Sequence, residues 1–230
     1  MPIFATLTIT GLLVVWAVIV QRRYIMNLEL ALINVAMLWM LTAPHEFAHA
    51  WVATKLGDDT PALEGRVTLY PLAHIDWLGT TILPFVTSLI GGFFIGWGKP
   101  VNTNPAKLRY GLNGLALVAL AGPVSNVLFA ILLTILSIST ARMFLPLAEF
   151  FASAARLSIY LAIFNLIPVP PLDGSKLLLA ARIPIAIYNE LSRFGFILLM
   201  VALSSTSLGP WISFSTNQVT HFLFRLFRPV

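Results

Sequence analysis

His45-Glu46-Phe47-Ala48-His49 is the stretch of this chain whose residue types and spacing point to chemistry. On a helix, residues four apart stand one turn apart on one face, so both imidazoles can bind a single zinc ion. Glu46 is offset by one residue, so it can act as general base on a metal-activated water without ligating the metal itself. A soluble helix surface can carry such a pattern by chance. Here it lies inside an otherwise apolar run, Leu30 to Val52, long enough to cross a membrane. Ionisable side chains at that depth are costly and are rarely kept without a function.

Composition sets the same context. The chain has 230 residues, 58% of them hydrophobic and 10% charged, with a mean hydropathy of +0.89. A soluble domain carries about 25% charged residues, so this is an integral membrane protein in contact with a lipid bilayer. The formal net charge of +5 does not point to nucleic acid, because the basic residues stand singly or in pairs between apolar runs. The absence of cysteine excludes disulfides and thiolate-bound zinc. The N-terminal apolar run has no preceding basic cluster and no cleavage site, and it reads as a retained span.

The elements that must position the motif follow from hydropathy and turn chemistry. Phe4 to Val20 is a first span, closed by Gln21-Arg22-Arg23, and Leu30 to Val52 is a second. Pro44, just before His45, frees a backbone carbonyl in mid-helix, which a membrane tolerates only beside protein or water. Gly57 to Pro61 is turn chemistry, and the alternation from Arg66 to Tyr70, ended by Pro71, predicts a short β-ribbon. Thr80 to Trp97 is apolar but contains Pro84, Gly91, Gly92 and Gly96. Leu112 to Ile138, Ala152 to Ile167 and Ile183 to Leu203 are further spans, the first rich in small residues that let helices approach closely. The tail, 204–230, mixes polar and aromatic residues and predicts an interfacial helix. The expected fold is an all-α integral membrane protein of five to six transmembrane helices, with a short β-ribbon and a re-entrant hairpin at 80–97. It forms one polytopic domain over 1–230, with its core at about 30–182.

Two histidines leave a catalytic zinc site incomplete, since three protein ligands plus water are usual. Asp173, Glu149, Glu190, His74, Asp76 and His221 are the remaining candidates near a span. Asp173 stands out because it follows the proline-rich segment Pro168-Val-Pro170-Pro171-Leu at a span's end, where a carboxylate can point into a cavity. On spacing alone it serves equally well as N-cap of a helix from Gly174 to Ala181. His74 and Asp76 read as turn hydrogen-bonding groups. Asn126, on a small-residue face, reads as an interhelical contact.

An intramembrane His-Glu-x-x-His followed by Asn165-x-x-Pro168-x-Pro170-x-x-Asp173-Gly174 resembles the site-2 protease family, zinc metallopeptidases that cut within membranes. The likeness covers roughly Leu30 to Arg182, and Ala121-Gly122-Pro123-Val-Ser-Asn126 resembles the small-residue motif between the two signatures. Position by position, the resemblance implies His45, His49 and Asp173 as ligands of one zinc per chain and Glu46 as the catalytic glutamate. It also implies Asn165 as a residue that holds substrate or stabilises the oxyanion. The chain resembles the short, membrane-only type without a PDZ domain. The substrate implied is a transmembrane protein or peptide.

A shared zinc constrains topology. The histidines lie towards the C-terminal end of their span and Asp173 just past the end of another, so the two spans must run parallel. A full crossing by Thr80–Trp97 would make them antiparallel, so this segment is expected to turn back. Lys55, Arg66, Lys99, Lys107, Arg109, Lys176 and Arg182 then fall on one side, and Arg22, Arg23, Arg142 and Arg156 on the other. The positive-inside rule places the larger set, and the site, towards the cytoplasmic face of the cell membrane. Two rival readings use the same residues differently: a metal or ion transporter, and a zinc-binding scaffold without proteolysis. A transporter predicts paired repeats or ionisable groups at several depths. This chain concentrates its candidate ligands at one level, with a glutamate beside the first histidine.

Overall fold

The computed structural model describes residues 27–89, 96–204 and 206–228 in full, and only the backbone of 2–26, 90 and 205. The expected first span, Phe4 to Val20, lies outside the residues described in full. The described residues form eight α-helices: α1 (Pro2–Lys55), α2 (Thr60–Leu63), α3 (Leu83–Ile90), α4 (Gly111–Thr140), α5 (Leu145–Asn165), α6 (Ser175–Ala180), α7 (Ile185–Ser205) and α8 (Leu208–Phe227). A π-helical segment, Trp77–Ile82, leads into α3. Four helices among the described residues are long and apolar enough to cross a membrane: Asn27–Lys55, Gly111–Thr140, Leu145–Asn165 and Ile185–Ser204. This is fewer than the five to six expected. At 1.5 Å per residue α4 alone is about 45 Å long, which exceeds the hydrocarbon thickness.

Two compact units emerge, Met1–Trp39 with Ile75–Lys99, and Met40–His74 with Pro100–Val230. In the first, the apolar segment after Asp76 comes back on itself. Asp76 Oδ1 accepts the Gly79 N–H at 2.7 Å, the Trp97 N–H donates to Gly79 O at 3.0 Å, and the buried Thr80 hydroxyl donates to Trp97 O at 2.7 Å. The beginning and end of 79–97 are therefore hydrogen-bonded to each other. Gly79 permits this because a Cβ there would collide with the Trp97 indole.

The second unit is built on α4. Its buried residues Leu115, Val118, Gly122, Asn126, Ala130, Leu133 and Ser137 follow helical spacing, and Gly122, Ala130 and Ser137 among them are small. The Ser125 hydroxyl donates to Pro44 O at 2.9 Å, and Arg109 N–H donates to Leu56 O at 2.7 Å, so the end of α1 runs antiparallel to α4. Ser137 Oγ donates to Ala148 O, and Ser158 Oγ donates to Asn126 O, each at 2.8 Å. These bonds make α5 antiparallel to α4 as well, and the end of α1 and α5 therefore run parallel. α5 begins seven residues before the expected Ala152, because Pro146 in its first turn starts a helix instead of interrupting one. α8 packs against α5 and α4, burying Leu223 against Ala130 and Ile159.

The expected β-ribbon is absent: no strand occurs among the described residues. From Arg66 to Tyr70 the backbone groups bond locally, Arg66 N–H to Pro61 O and Thr68 N–H to Arg66 O, and the Thr68 carbonyl accepts from His74 Nε2 at 2.7 Å. The alternation is real, but it sorts residues differently. Arg66 turns inward, 2% exposed, while Val67 and Leu69 face outward. The loops on either side of the inserted segment 75–99 are tied together. Lys107 pairs with Asp59 at 2.6 Å, Asp58 Oδ2 accepts the Asn104 N–H at 2.6 Å, and Asn102 donates to Glu64 at 2.9 Å.

Replacing Thr80 by valine removes its bond to Trp97 O and the bond it accepts from Asp76 N–H. The expected result is a thermal unfolding midpoint in detergent lowered by roughly 2–8 °C. An unchanged midpoint would show that the return contact contributes nothing.

Candidate metal centre

Helical periodicity brings Thr42, His45, His49 and Ala53 to the buried stripe of α1. That stripe packs on α4, with Ala53 against Leu108, Leu115 and Val118. The histidines are thus carried inward by the same face that anchors the helix. Asp173 arrives from the loop between α5 and α6. There Gly174 N–H donates to Asn165 O at 2.7 Å, and Gly174 packs so closely that a Cβ would collide with Leu166 O.

The three ligand candidates converge. His45 Nε2 lies 3.2 Å from Asp173 Oδ2, His49 Nε2 lies 3.0 Å from the same oxygen, and the two Nε2 atoms are 3.0 Å apart. All three residues are buried. The remaining atoms are also engaged. His49 Nδ1 donates to Val118 O at 2.7 Å, which leaves its Nε2 as a lone pair facing the other two ligand atoms. His45 Nδ1 is 3.1 Å from the Asn126 side-chain amide, and Lys176 Nζ donates to Asp173 Oδ1 at 2.9 Å. The Asp173 carboxylate is directed at His45, His49 and Lys176, and Gly174, not Asp173, stands at the N-cap of α6.

This donor set fits zinc. Tetrahedral zinc with bonds of about 2.0–2.1 Å separates its ligand atoms by about 3.3–3.4 Å, close to the 3.0–3.2 Å found among these three atoms. At such distances either a proton on an imidazole nitrogen or a metal cation must lie between the atoms. Space is kept for one: a Cβ on Gly122 of α4 would collide with His49 Nε2 and lie 2.6 Å from His45 Nε2.

Glu46 is buried beside the triad, 8% exposed, and it interacts electrostatically with His45, Asp173, Arg66 and Lys176. Arg66 belongs to this neighbourhood too. Burial disfavours its charge, and Glu46 and Glu64 favour it. Asn165 is placed differently from the other motif residues, since its amide donates to Leu161 O of its own helix at 3.0 Å and bonds none of the triad. His74, buried, serves the turn through Thr68 O. The sequence does not mark Gly122 or Lys176 as site residues; Asn126 reads there as an interhelical contact, and Arg66 as a ribbon residue and a loop charge. The one available signal was position: Lys176 falls three residues after Asp173, and Gly122 and Asn126 fall one turn apart on α4.

Comparison with known proteins gives the same class. The family model described as Peptidase family M50 matches residues 139–203, a range that contains Asn165 and Asp173. YwhC of Bacillus subtilis (strain 168) is 32% identical over 201 residues, covering 81% of this chain and 88% of that protein. Rip2 of Mycolicibacterium smegmatis is 29% identical over 180 residues, covering 75% of this chain and 67% of that protein. Both bear zinc-metalloprotease names. No solved structure matches. The chain belongs to peptidase family M50, the site-2 protease family of zinc metallopeptidases.

Substituting alanine for Gly122 should abolish stoichiometric zinc binding while leaving a folded chain, because the added methyl enters the space between the imidazoles. Metal analysis of the purified variant checks this, and a full complement of zinc would refute the cradle.

Proposed function

We propose that this chain is a zinc-dependent intramembrane endopeptidase that hydrolyses peptide bonds in the transmembrane segments of membrane proteins. The observation that carries the reading is the convergence of His45, His49 and Asp173 within 3.0–3.2 Å, beside a buried carboxylate and within helices of membrane length. His45, His49 and Asp173 hold the metal. Zinc bound there supplies Lewis acidity that activates a water for attack and polarises the scissile carbonyl. Glu46 takes a proton from the attacking water as the C–O bond forms, and then delivers it to the amide nitrogen, so that the C–N bond breaks and the amine leaves. Lys176 holds Asp173 Oδ1, which leaves Oδ2 to face the imidazoles. Asn165 retains its second amide hydrogen and its Oδ1 for the substrate backbone, because its bond to Leu161 uses one hydrogen only. A scaffold or transporter has no use for a glutamate beside the triad, and family membership favours hydrolysis.

We infer further that 80–97 enters and leaves the bilayer on one side and that the whole chain works as one membrane-embedded peptidase domain. The hydrogen bonds between Trp97 and Gly79–Thr80 support re-entry, as do the ties between the loops at 58–64 and 102–107. The basic residues grouped at that end support a cytoplasmic placement in the cell membrane.

Glu46→Gln should retain one zinc per chain and lower cleavage of a model transmembrane substrate by about 10²- to 10⁴-fold. Undiminished cleavage by the zinc-loaded variant would end the mechanism. Topology is checked separately, and the absence of native cysteine makes single-cysteine labelling unambiguous. Cysteines at Ala62 and Ala106 should both be shielded from an impermeant maleimide in intact cells, and one at Ala141 should be labelled. Opposite labelling of Ala62 and Ala106 would mean that 80–97 crosses.

A further inference from the structure

We propose that Asn126 is a positioning residue for the metal: its side-chain oxygen accepts the Nδ1–H of His45 and so directs the Nε2 lone pair of that ring towards His49 and Asp173. The inference rests on the zinc reading above and adds to it a group outside the ligand set. Asn126 is fully buried, and its amide lies 3.1 Å from His45 Nδ1. Its Oδ1 is buried and has no hydrogen-bond partner.

An amide's oxygen and nitrogen occupy interchangeable positions, and which of them faces a neighbour is assigned from the hydrogen-bond network. With nitrogen facing the ring, Nδ1 must be the acceptor, and the proton of a neutral His45 then sits on Nε2, where it blocks a metal. A ring that ligates through Nε2 carries its proton on Nδ1 and needs an acceptor there. Turning the Asn126 amide by half a rotation brings Oδ1 into that place without moving the backbone. The Ser158 hydroxyl holds the Asn126 main chain through its carbonyl at 2.8 Å, and the Ser125 hydroxyl ties the adjacent turn to Pro44 O. The second histidine already shows this arrangement, since His49 Nδ1 donates to Val118 O. α4 thus supplies the acceptor behind both imidazoles, a side chain for one and a backbone carbonyl for the other.

An interhelical contact alone would need only a polar or close-packed group at this position. The two roles part in zinc affinity. Chelator competition on the full chain in detergent, with zinc alone as probe, should give one tight site in the natural protein and none in His45→Ala. Asn126→Leu, close in size but with no acceptor, should bind zinc about 10- to 100-fold more weakly while keeping the thermal midpoint of its zinc-free form. Asn126→Asp, which retains an oxygen acceptor, should stay within about threefold of the natural affinity. Natural affinity in Asn126→Leu would overturn the proposal, as would a loss in Asn126→Asp equal to that in Asn126→Leu. If the natural chain binds no zinc, the metal reading fails and this proposal falls with it. If it binds zinc and Asn126→Leu binds equally well, only this proposal falls.

Discussion

Two imidazole nitrogens and a carboxylate oxygen face one another across 3.0–3.2 Å in the interior of the helical unit. Such a group needs a proton or a metal cation between its atoms, and the neighbouring elements are arranged around it. Gly122 withholds a side chain, Val118 and Asn126 stand behind the two rings, and Lys176 takes the carboxylate oxygen that the rings do not use. The cost of burying polar groups at this depth is met by giving nearly every one of them a partner.

The same requirement governs topology. Asp173 can reach the histidines only if the end of α1 and α5 run in one direction, and α4 lies antiparallel to both. The short loop of α4–α5 and the tied loops before α4 fix those directions with local bonds. Small residues along α4 then let the ligand-bearing elements come within reach of one another.

Much of this was legible before any coordinates. His45 and His49 are separated by one helical turn, Asp173 follows prolines that end a helix, and Thr80–Trp97 carries the glycines and proline of a turn. What escaped reading has physical causes. Arg66 to Tyr70 alternates as a strand does, but Val67 and Leu69 face out and Arg66 faces in while the backbone bonds locally, so the period is right and the element wrong. Asn126 lies among small residues, where an amide between helices reads the same from sequence whether it joins helices or orients an imidazole. α5 starts early because a proline that breaks a helix in its middle opens one in its first turn.

The ties between 58–64 and 102–107 have a consequence for how such a chain can vary. A segment whose entry and exit are clasped at one place is neutral in parity: lengthening, shortening or replacing it leaves the direction of every later helix unchanged. An insertion that crossed the bilayer would invert all that follows and carry Asp173 to the wrong face. If 80–97 is re-entrant as proposed, that segment, which holds none of the ligand candidates, can be rewritten while the two halves of the site still meet.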